Sequence, residues 1–388
     1  MTRPRRVIVL GGGLAANTFV AQARALGFDG DLDVLAAESR TPYARPPLSK
    51  AVLTGAAPPE STSLPFDPAA ARFRRGVAAV AVDPVERLVT ASDGTALPYD
   101  ALLVATGSSA RVPGPGTLTV RTIDDVTVLR DRLTTARTAL IVGSGFLAWE
   151  LAAGCVAAGV DTTVVTRPAP LARTLGTELA AMLISRARAA GARHVVAADP
   201  IVRADAGGTA VAVGASILRG DVMIGAVGCA SNTAALPARW RSARAGGAIE
   251  IDELSRVRAG GGGGLVPDVY AAGDVTARVL GAGSARSPLW TAAIAQAVRA
   301  ARTMLEVDGP TLSDDVPYCW TEAFGVEIRL AGVVPSGITP LIDGEGEGGA
   351  LWRWPGAAAA VNRTMPIPRL KRLTVEPVPA HEPVDTKD

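Results

Sequence analysis

Histidine occurs only twice, at His194 and His381, and cysteine three times, at Cys155, Cys229 and Cys319, far apart and with no CxxC or metal-ligand spacing. So few imidazoles argue against His-based nucleophilic or metal chemistry, and such scattered thiols argue against structural zinc, so no metal site is expected. The cysteine usage fits a reducing compartment. The basic start from Met1 to Arg6 runs straight into a strand without an apolar region or cleavage site, so export is not expected and a cytoplasmic location is. The formal net charge of +2 comes without a long run of one sign, which excludes nucleic acid and anionic membrane as bulk partners. The one long apolar run, 139–160, carries Gly143, Gly145 and Glu150 near its centre. An acid at mid-bilayer costs about 2.5 to 3.5 kcal/mol even on lenient scales, so strand, turn and buried helix are expected there instead of a membrane span. Lysine is also scarce: Lys50, Lys371 and Lys387 are the only three against a background of arginine.

What the chain does have is two nucleotide-binding fingerprints, Gly11-Gly12-Gly13-Leu14-Ala15-Ala16 and Gly143-Ser144-Gly145-Phe146-Leu147-Ala148. Each follows an apolar, β-branched strand, Val7-Ile8-Val9-Leu10 and Ala139-Leu140-Ile141-Val142. Small residues at the first two positions allow a tight turn close to a pyrophosphate, and a small third residue lets the helix pack on its strand with its N-terminus toward the phosphates. One such motif is weak evidence, whereas two suggest two dinucleotides. A length of 388 residues predicts two or three domains.

The first unit predicts a helix through Phe19 to Leu26 and a strand from Leu32 to Leu35 ending near Glu38, which is βαβ order. An acid there binds a ribose hydroxyl or is a solvated loop charge. A Pro/Ala-rich loop leads to strands at Val77 to Val82 and Arg87 to Ala91, with a turn between Ser92 and Thr95. The strand Ala101 to Val104 ends in Ala105-Thr106-Gly107, small residues suited to a chain crossing between domains beside a cofactor. The second unit predicts strands at Thr162 to Val165 and Val222 to Val227, the latter followed by Gly228. Beyond a loop at Gly260 to Gly264, the stretch Val269 to Asp274 reads as a strand delivering an acid at a tight turn, followed by a helix through Ala292 to Leu305. Strand-like segments at Val326 to Leu330 and Ala357 to Val361 suggest a small α+β domain.

Taken in order, the two fingerprints, the segment Tyr43 to Lys50 with its Pro46-Pro47-Leu48-Ser49-Lys50 stretch, and Asp274 resemble the FAD-dependent ferredoxin (rubredoxin, putidaredoxin) reductases. These are pyridine nucleotide-disulfide oxidoreductase-like flavoproteins without the redox disulfide. The resemblance implies an α/β fold with two Rossmann-like domains and a small C-terminal domain. FAD would take residues 1–108 and 230–312, NAD(P) residues 109–229, and a C-terminal interface domain residues 313–388. It places Gly11, Gly13, Leu14, Ala15 and Ala16 at the FAD pyrophosphate, Glu38 at the adenosine ribose and Ala79 at the adenine. Arg45, Lys50 and Arg121 fall toward the flavin, Thr106, Gly107 and Gly273 in the surrounding turns, Asp274 at the ribityl chain, and Trp290 and Trp320 beside the isoalloxazine. Gly143, Gly145, Phe146, Leu147, Thr166, Arg167 and Gly228 serve the nicotinamide coenzyme.

Lys50, Glu150 and Trp320 are the catalytic candidates. A compact ammonium at Lys50 favours anionic reduced flavin more readily than a broad guanidinium would, and in this family Glu150 pairs with it and lines the nicotinamide pocket. Residue by residue, Glu150 is otherwise an early helix acid interacting with the dipole. The implied activity is hydride transfer from NAD(P)H to FAD, then single-electron transfers to a small iron–sulfur protein, a ferredoxin, that serves an oxygenase. A self-contained flavin oxidoreductase, or a non-catalytic flavoprotein module, stays open beside it. Pro288 and Ala292 depart from the Glu and Asn usual in relatives, and Thr166 from the usual acid, so that Thr166-Arg167 favours NADPH over NADH. Arg363, Arg369, Lys371 and Arg372 form a basic cluster that is either a docking surface for an acidic ferredoxin or a solvated tail. The first cysteine, Cys155, lies beyond the region where disulfide reductases carry their redox pair. The sequence leaves the oligomeric state open.

Overall fold

A computed structural model describes residues 3–205, 208–281, 283–309, 316–344 and 349–378. The chain divides into two compact units, the first built from Met1–Arg45, Pro58–Ser109 and Cys229–Asp315, the second from Pro46–Ala57, Ala110–Gly228 and Val316–Asp388.

In the first unit the strands Arg72–Arg75, Asp31–Ala36, Arg6–Leu10, Ala101–Val104 and Leu265–Ala271 lie side by side in that order, all parallel. Both faces of such a sheet are covered, which explains why its strands read as unbroken apolar runs. Val7, Val9, Ala101 and Leu103 face the helices Leu14–Ala25 and Trp290–Met304, while Ile8, Leu10, Leu102 and Val104 face a second cluster that includes Val82, Val89 and Trp240. Val82 and Val89 belong to a three-stranded antiparallel sheet, Ala79–Asp83, Leu88–Ala91 and Ala96–Pro98. Each fully buried Val, Leu or Ile contributes roughly 1.5 to 3 kcal/mol of transfer free energy, so the two-sided pattern supplies most of what holds the unit together.

The second unit repeats the parallel plan with Arg193–Val196, Asp161–Thr166, Thr138–Val142 and Val222–Gly225. Val202 and Val211, from a small antiparallel sheet, pack on Leu140, Val142 and Met223. A five-stranded antiparallel sheet is formed by Tyr318–Ala323, Val326–Gly332, Ala357–Val361, Ala350–Trp354 and Leu341–Asp343 in that order. Its Tyr318, Ala331, Leu351, Ala358 and Ala360 bury one face against Leu370 and Leu373 of the helix Ile367–Leu373. That helix turns Arg369 and Arg372 outward with Lys371 half-buried, while Arg363 lies before it and approaches Asp343 at 3.8 Å. The apolar run 139–160 resolves into strand, turn and the helix Phe146–Ala157, and among the described residues no helix is long and apolar enough to cross a membrane.

Several elements go beyond the sequence reading, among them the helices Ile123–Leu133 and Ala172–Ala189 and the strands Tyr318–Ala323 and Ala350–Trp354. Between Asp274 and the Trp290–Met304 helix the chain inserts an antiparallel pair, Thr276–Leu280 with Gly283–Ala285. The strands Ile201–Asp205, Gly208–Val213 and Ser216–Arg219 also went unread. Glycine interrupts both stretches and leaves strands of only three to six residues, too short for a pattern of their own.

Glu250, on the strand Ile249–Ile251, is 0% exposed and accepts hydrogen bonds from Arg244 Nε (2.7 Å), Arg244 Nη2 (3.0 Å) and Ser242 Oγ (2.7 Å). The Arg244 guanidinium, donating to it, holds its carboxyl down at about 2 against the opposing effect of burial. The unfolded chain takes up a proton at Glu250 near 4.5 and the folded protein only near 2. The stabilisation is therefore complete above pH 4.5 and is lost as the pH falls toward 2. Glu250→Gln should cost about 1.5 to 3 kcal/mol at pH 7, with the gap to the native protein closing between pH 4.5 and 2 in urea unfolding followed by circular dichroism.

Candidate active site

The first fingerprint turn is shaped by backbone contact. Gly11 has φ +113°, and a Cβ there would lie 2.1 Å from the carbonyl oxygen of Ala105, so only glycine fits. Gly13 is different: it is the N-cap of the Leu14–Ala25 helix, has nothing within 4 Å of its Cβ position, and makes no side-chain cap bond. The helix has no acid in its first turn. Its leading N–H groups therefore have no acceptor from a capping side chain, and space opens in front of them, which is the arrangement that binds a phosphate. Ala15 and Ala16 are buried behind the turn, and Leu14 is half-buried.

The second fingerprint repeats this. A Cβ on Gly143 would meet the Ala226 carbonyl oxygen at 2.4 Å, while Gly145 caps the Phe146–Ala157 helix with open space around it and no side-chain bond. Phe146 and Leu147 are half-buried at the head of that helix.

In the first unit Glu38 and Arg45 come together. Arg45 Nη2 lies 2.6 Å from Glu38 Oε1, Tyr43 Oη donates to Glu38 Oε2 at 2.5 Å, and the Arg45 guanidinium stands 5.1 Å from the Tyr43 ring centre. Burial disfavours the Arg45 charge, yet Tyr43 and Glu38 hold its pKa above the ordinary value. Arg45 thus joins the acid at the end of the second strand, where the resemblance set it toward the flavin. Ala79 opens the small antiparallel sheet and is half-buried. Asn232 ties the crossing segment: Thr106 Oγ1 donates to the Asn232 carbonyl at 2.6 Å, Asn232 Nδ2 to the Thr106 carbonyl at 3.1 Å, and Asn232 N to the Gly107 carbonyl at 3.0 Å. Ser108 Oγ donates to Asp274 Oδ2 at 3.1 Å, and Arg286 Nη2 to the Asp274 carbonyl at 2.9 Å. Buried Gln296 accepts from Gly273 N at 2.9 Å and from Thr276 Oγ1 at 3.0 Å, pinning the Gly273-Asp274 turn to the helix that Trp290 begins.

In the second unit Lys50 Nζ lies 2.8 Å from Glu150 Oε1, with side-chain exposures of 12% and 6%. Glu150 Oε1 also accepts from Thr321 Oγ1 at 2.8 Å and Oε2 from Ser49 Oγ at 2.5 Å. Lys50 makes a further bond to the Pro46 carbonyl at 3.2 Å. A buried carboxylate with a cation and two hydroxyls on it is fully compensated, which a buried acid requires. Glu150 is the fifth residue of its helix, past the first turn, so its partner is Lys50 and not the dipole.

Side chains alternate along Tyr318–Ala323, and Trp320 lies with Tyr318, ring centres 6.1 Å apart, on the face covered by the Ile367–Leu373 helix. Thr321, on the opposite face, is the residue that reaches Glu150. Thr166 is buried, and its hydroxyl bonds His194 Nε2 at 2.9 Å. Arg188 approaches the other ring nitrogen at 3.4 Å, and burial followed by the Arg188 charge lowers the His194 pKa. Arg167 is exposed beside the second fingerprint, its backbone N–H on Ser144 Oγ at 3.0 Å. Gly228 accepts from Arg111 N at 2.9 Å, and Arg121 N donates to Asp125 Oδ2 at 2.8 Å ahead of the Ile123–Leu133 helix.

Ser49, Thr321, Gln296 and Asn232 were not anticipated. Ser49 lay in plain view inside the Pro46–Lys50 stretch, and Gln296 is a lone amide in an alanine-rich helix, whereas Thr321 and Asn232 have no local signature. Burial pushes the thiols of Cys155 and Cys319 up to about 12, so neither supplies a thiolate, and Cys155, Cys229 and Cys319 are all unbridged. A cavity of about 900 Å³ lies at the starting end of the first sheet's strands Arg6–Leu10 and Ala101–Val104, opposite the fingerprint turn, near Arg5, Ala101 and Met304, where Arg87 and Asp268 pair with each other.

The profile of the family described as pyridine nucleotide-disulphide oxidoreductase matches residues 5–297. The ferredoxin–NAD(+) reductase subunit of the benzene 1,2-dioxygenase system of Pseudomonas putida is 30% identical over 342 residues, covering 84% of this chain and 80% of that protein. The crystal structure of Fdr9 superposes with a TM-score of 0.75 at 30% identity, covering 92% of this chain and 91% of the other. The covalent putidaredoxin reductase–putidaredoxin complex shares the fold, with a TM-score of 0.81 at 21% identity over 96% of this chain and 92% of that chain. With two open phosphate turns and no disulfide among its cysteines, the chain belongs to the pyridine nucleotide-disulphide oxidoreductase family, among its ferredoxin reductases.

Proposed function

We propose that the protein oxidises NAD(P)H and delivers electrons one at a time to a small iron–sulfur protein that serves an oxygenase. FAD would be held at the first fingerprint and the coenzyme at the second. The observation that carries this reading is the buried Lys50–Glu150 pair: a chain with only three lysines keeps one of them 12% exposed, on a carboxylate that also holds two hydroxyls. The open space before Gly13 and before Gly145 fits a dinucleotide pyrophosphate at each turn.

Bound FAD supplies what no side chain here can, the conversion of a two-electron donor into one-electron steps. The chain's own groups bind and orient. The Leu14–Ala25 helix offers its first N–H groups to the pyrophosphate, Glu38 with Arg45 serves the adenosine end, and Asp274, fixed by Ser108 and the Gln296 turn, serves the ribityl chain. Lys50 keeps a fixed positive charge where negative charge develops on reduction, and Glu150 keeps that ammonium in place. In this assignment residues 1–108 and 230–312 form the FAD domain, 109–229 the coenzyme domain and 313–388 the interface.

One experiment tests the whole reading: stopped-flow reduction by NADH and NADPH, followed by titration with candidate ferredoxins. Rapid reoxidation by a ferredoxin supports it, and turnover that needs no protein acceptor opposes it. Lys50→Met should retain bound FAD while slowing flavin reduction about a hundredfold. A variant that loses FAD but reduces normally once reconstituted would reverse the role given to Lys50.

NADPH is the coenzyme we favour, on Arg167 alone. No acid follows the Asp161–Thr166 strand, and an exposed guanidinium next to the phosphate turn can grip a 2′-phosphate. Steady-state kinetics should show a higher kcat/KM for NADPH, reduced about ten- to a hundredfold in Arg167→Ala with NADH little changed.

The acceptor would dock on the outward cations of the Ile367–Leu373 helix. Charge reversal at Arg369 and Arg372 together should lower ferredoxin reduction severalfold at low ionic strength, with the difference shrinking as salt is added and flavin reduction by the coenzyme unaffected.

A further inference from the structure

Glu150 carries more donors than an ion pair needs. Lys50 Nζ and Thr321 Oγ1 both reach Oε1 at 2.8 Å, and Ser49 Oγ reaches Oε2 at 2.5 Å. These donors arrive from two segments: Ser49 and Lys50 are consecutive at the end of the Pro46–Ser49 turn, and Thr321 comes from the edge strand of the C-terminal sheet. Thr321 is 0% exposed and Ser49 5%. Hydroxyls are neutral donors. They satisfy carboxylate lone pairs without adding charge, so they share the burden of Glu150 while leaving the pair's net charge unaltered. A carboxylate served by lysine alone would draw the ammonium fully onto itself and leave less of its positive field for anything else nearby.

We propose that Thr321, assisted by Ser49, is a positioning residue that tunes how much of the Lys50 charge Glu150 consumes. The edge strand thus serves the catalytic pair through Thr321 and not through its neighbour Trp320. The proposal rests on the reading of Lys50 as the cation that favours reduced flavin. It predicts that Thr321→Val, which keeps the shape and removes the donor, weakens that effect with Lys50 still in place.

The test is equilibrium reduction of the FAD-loaded protein against a reference dye, followed by absorbance. At a fixed dye ratio, Thr321→Val should lower the reduced-to-oxidised flavin ratio about fivefold, Thr321→Ser should restore it, Ser49→Ala should lower it in the same direction, and Lys50→Met should lower it most. A residue of merely structural importance would change the melting temperature of the protein without moving this ratio. If Lys50→Met lowers the ratio while Thr321→Val and Ser49→Ala leave it unmoved, the positioning role is wrong and the reading of Lys50 stands. If Lys50→Met itself leaves the ratio unchanged, the reading beneath it fails. Should Thr321→Val not fold, Ser49→Ala and Thr321→Ser decide: an unmoved Ser49→Ala overturns the shared-donor account.

Discussion

A helix begins with backbone N–H groups that have no partner inside it, and most helices close that debt with a capping side chain. This chain does so at Ile123–Leu133, where Thr122 and Asp125 exchange bonds in a full capping box. The helices at Leu14 and Phe146 do not: each starts on a glycine with no side-chain acceptor and no acid in the first turn. With glycine at the cap, forgoing a side-chain acceptor costs only about a few tenths of a kcal/mol of helix stability at each. The rest of both sites follows from leaving those groups open. Gly11 and Gly143 must lack a side chain because the neighbouring strand's carbonyl occupies its place, which brings the strand end, the turn and the helix start into one tight corner.

Much of this was legible in the chain, because the relevant physics is local. Strands buried on both faces write themselves as apolar, β-branched runs, and the strands observed at Arg6–Leu10 and Thr138–Val142 coincide with such runs. The elements that escaped notice are those whose stability comes from elsewhere. Thr276–Leu280 carries Arg278 in its centre and pairs with a three-residue partner, so its existence depends on the sheet it extends and not on its composition.

Side-chain partnership was harder to read than backbone. Thr166 ends a strand buried on both faces and bonds His194, while Arg167, the first residue past the strand, is exposed. Trp320 and Thr321 divide between the two faces of one strand, one toward the Ile367–Leu373 helix and the other toward Glu150. In the second place a shift of one residue exchanges the two faces of a strand, and in the first it separates a buried strand end from the exposed loop after it; a motif quoted by position resolves neither. Glu38 and Arg45 add a different lesson, since two residues assigned to separate ends of a cofactor form one ion pair.

The interleaving of the two units has a bearing on synthesis at the ribosome. The first unit needs the strand Leu265–Ala271 and the helix Trp290–Met304, whose Gln296 fixes the turn before it, while the second needs the strand Tyr318–Ala323, whose Thr321 completes the shell of Glu150. Neither unit is a continuous stretch of chain, so no truncation yields one of them alone, and neither can close until most of the polypeptide has emerged. The nascent protein must therefore carry the first unit's parallel sheet without its strand Leu265–Ala271 and its covering helix Trp290–Met304 through much of its translation, with apolar faces bare, the kind of surface that chaperones shield.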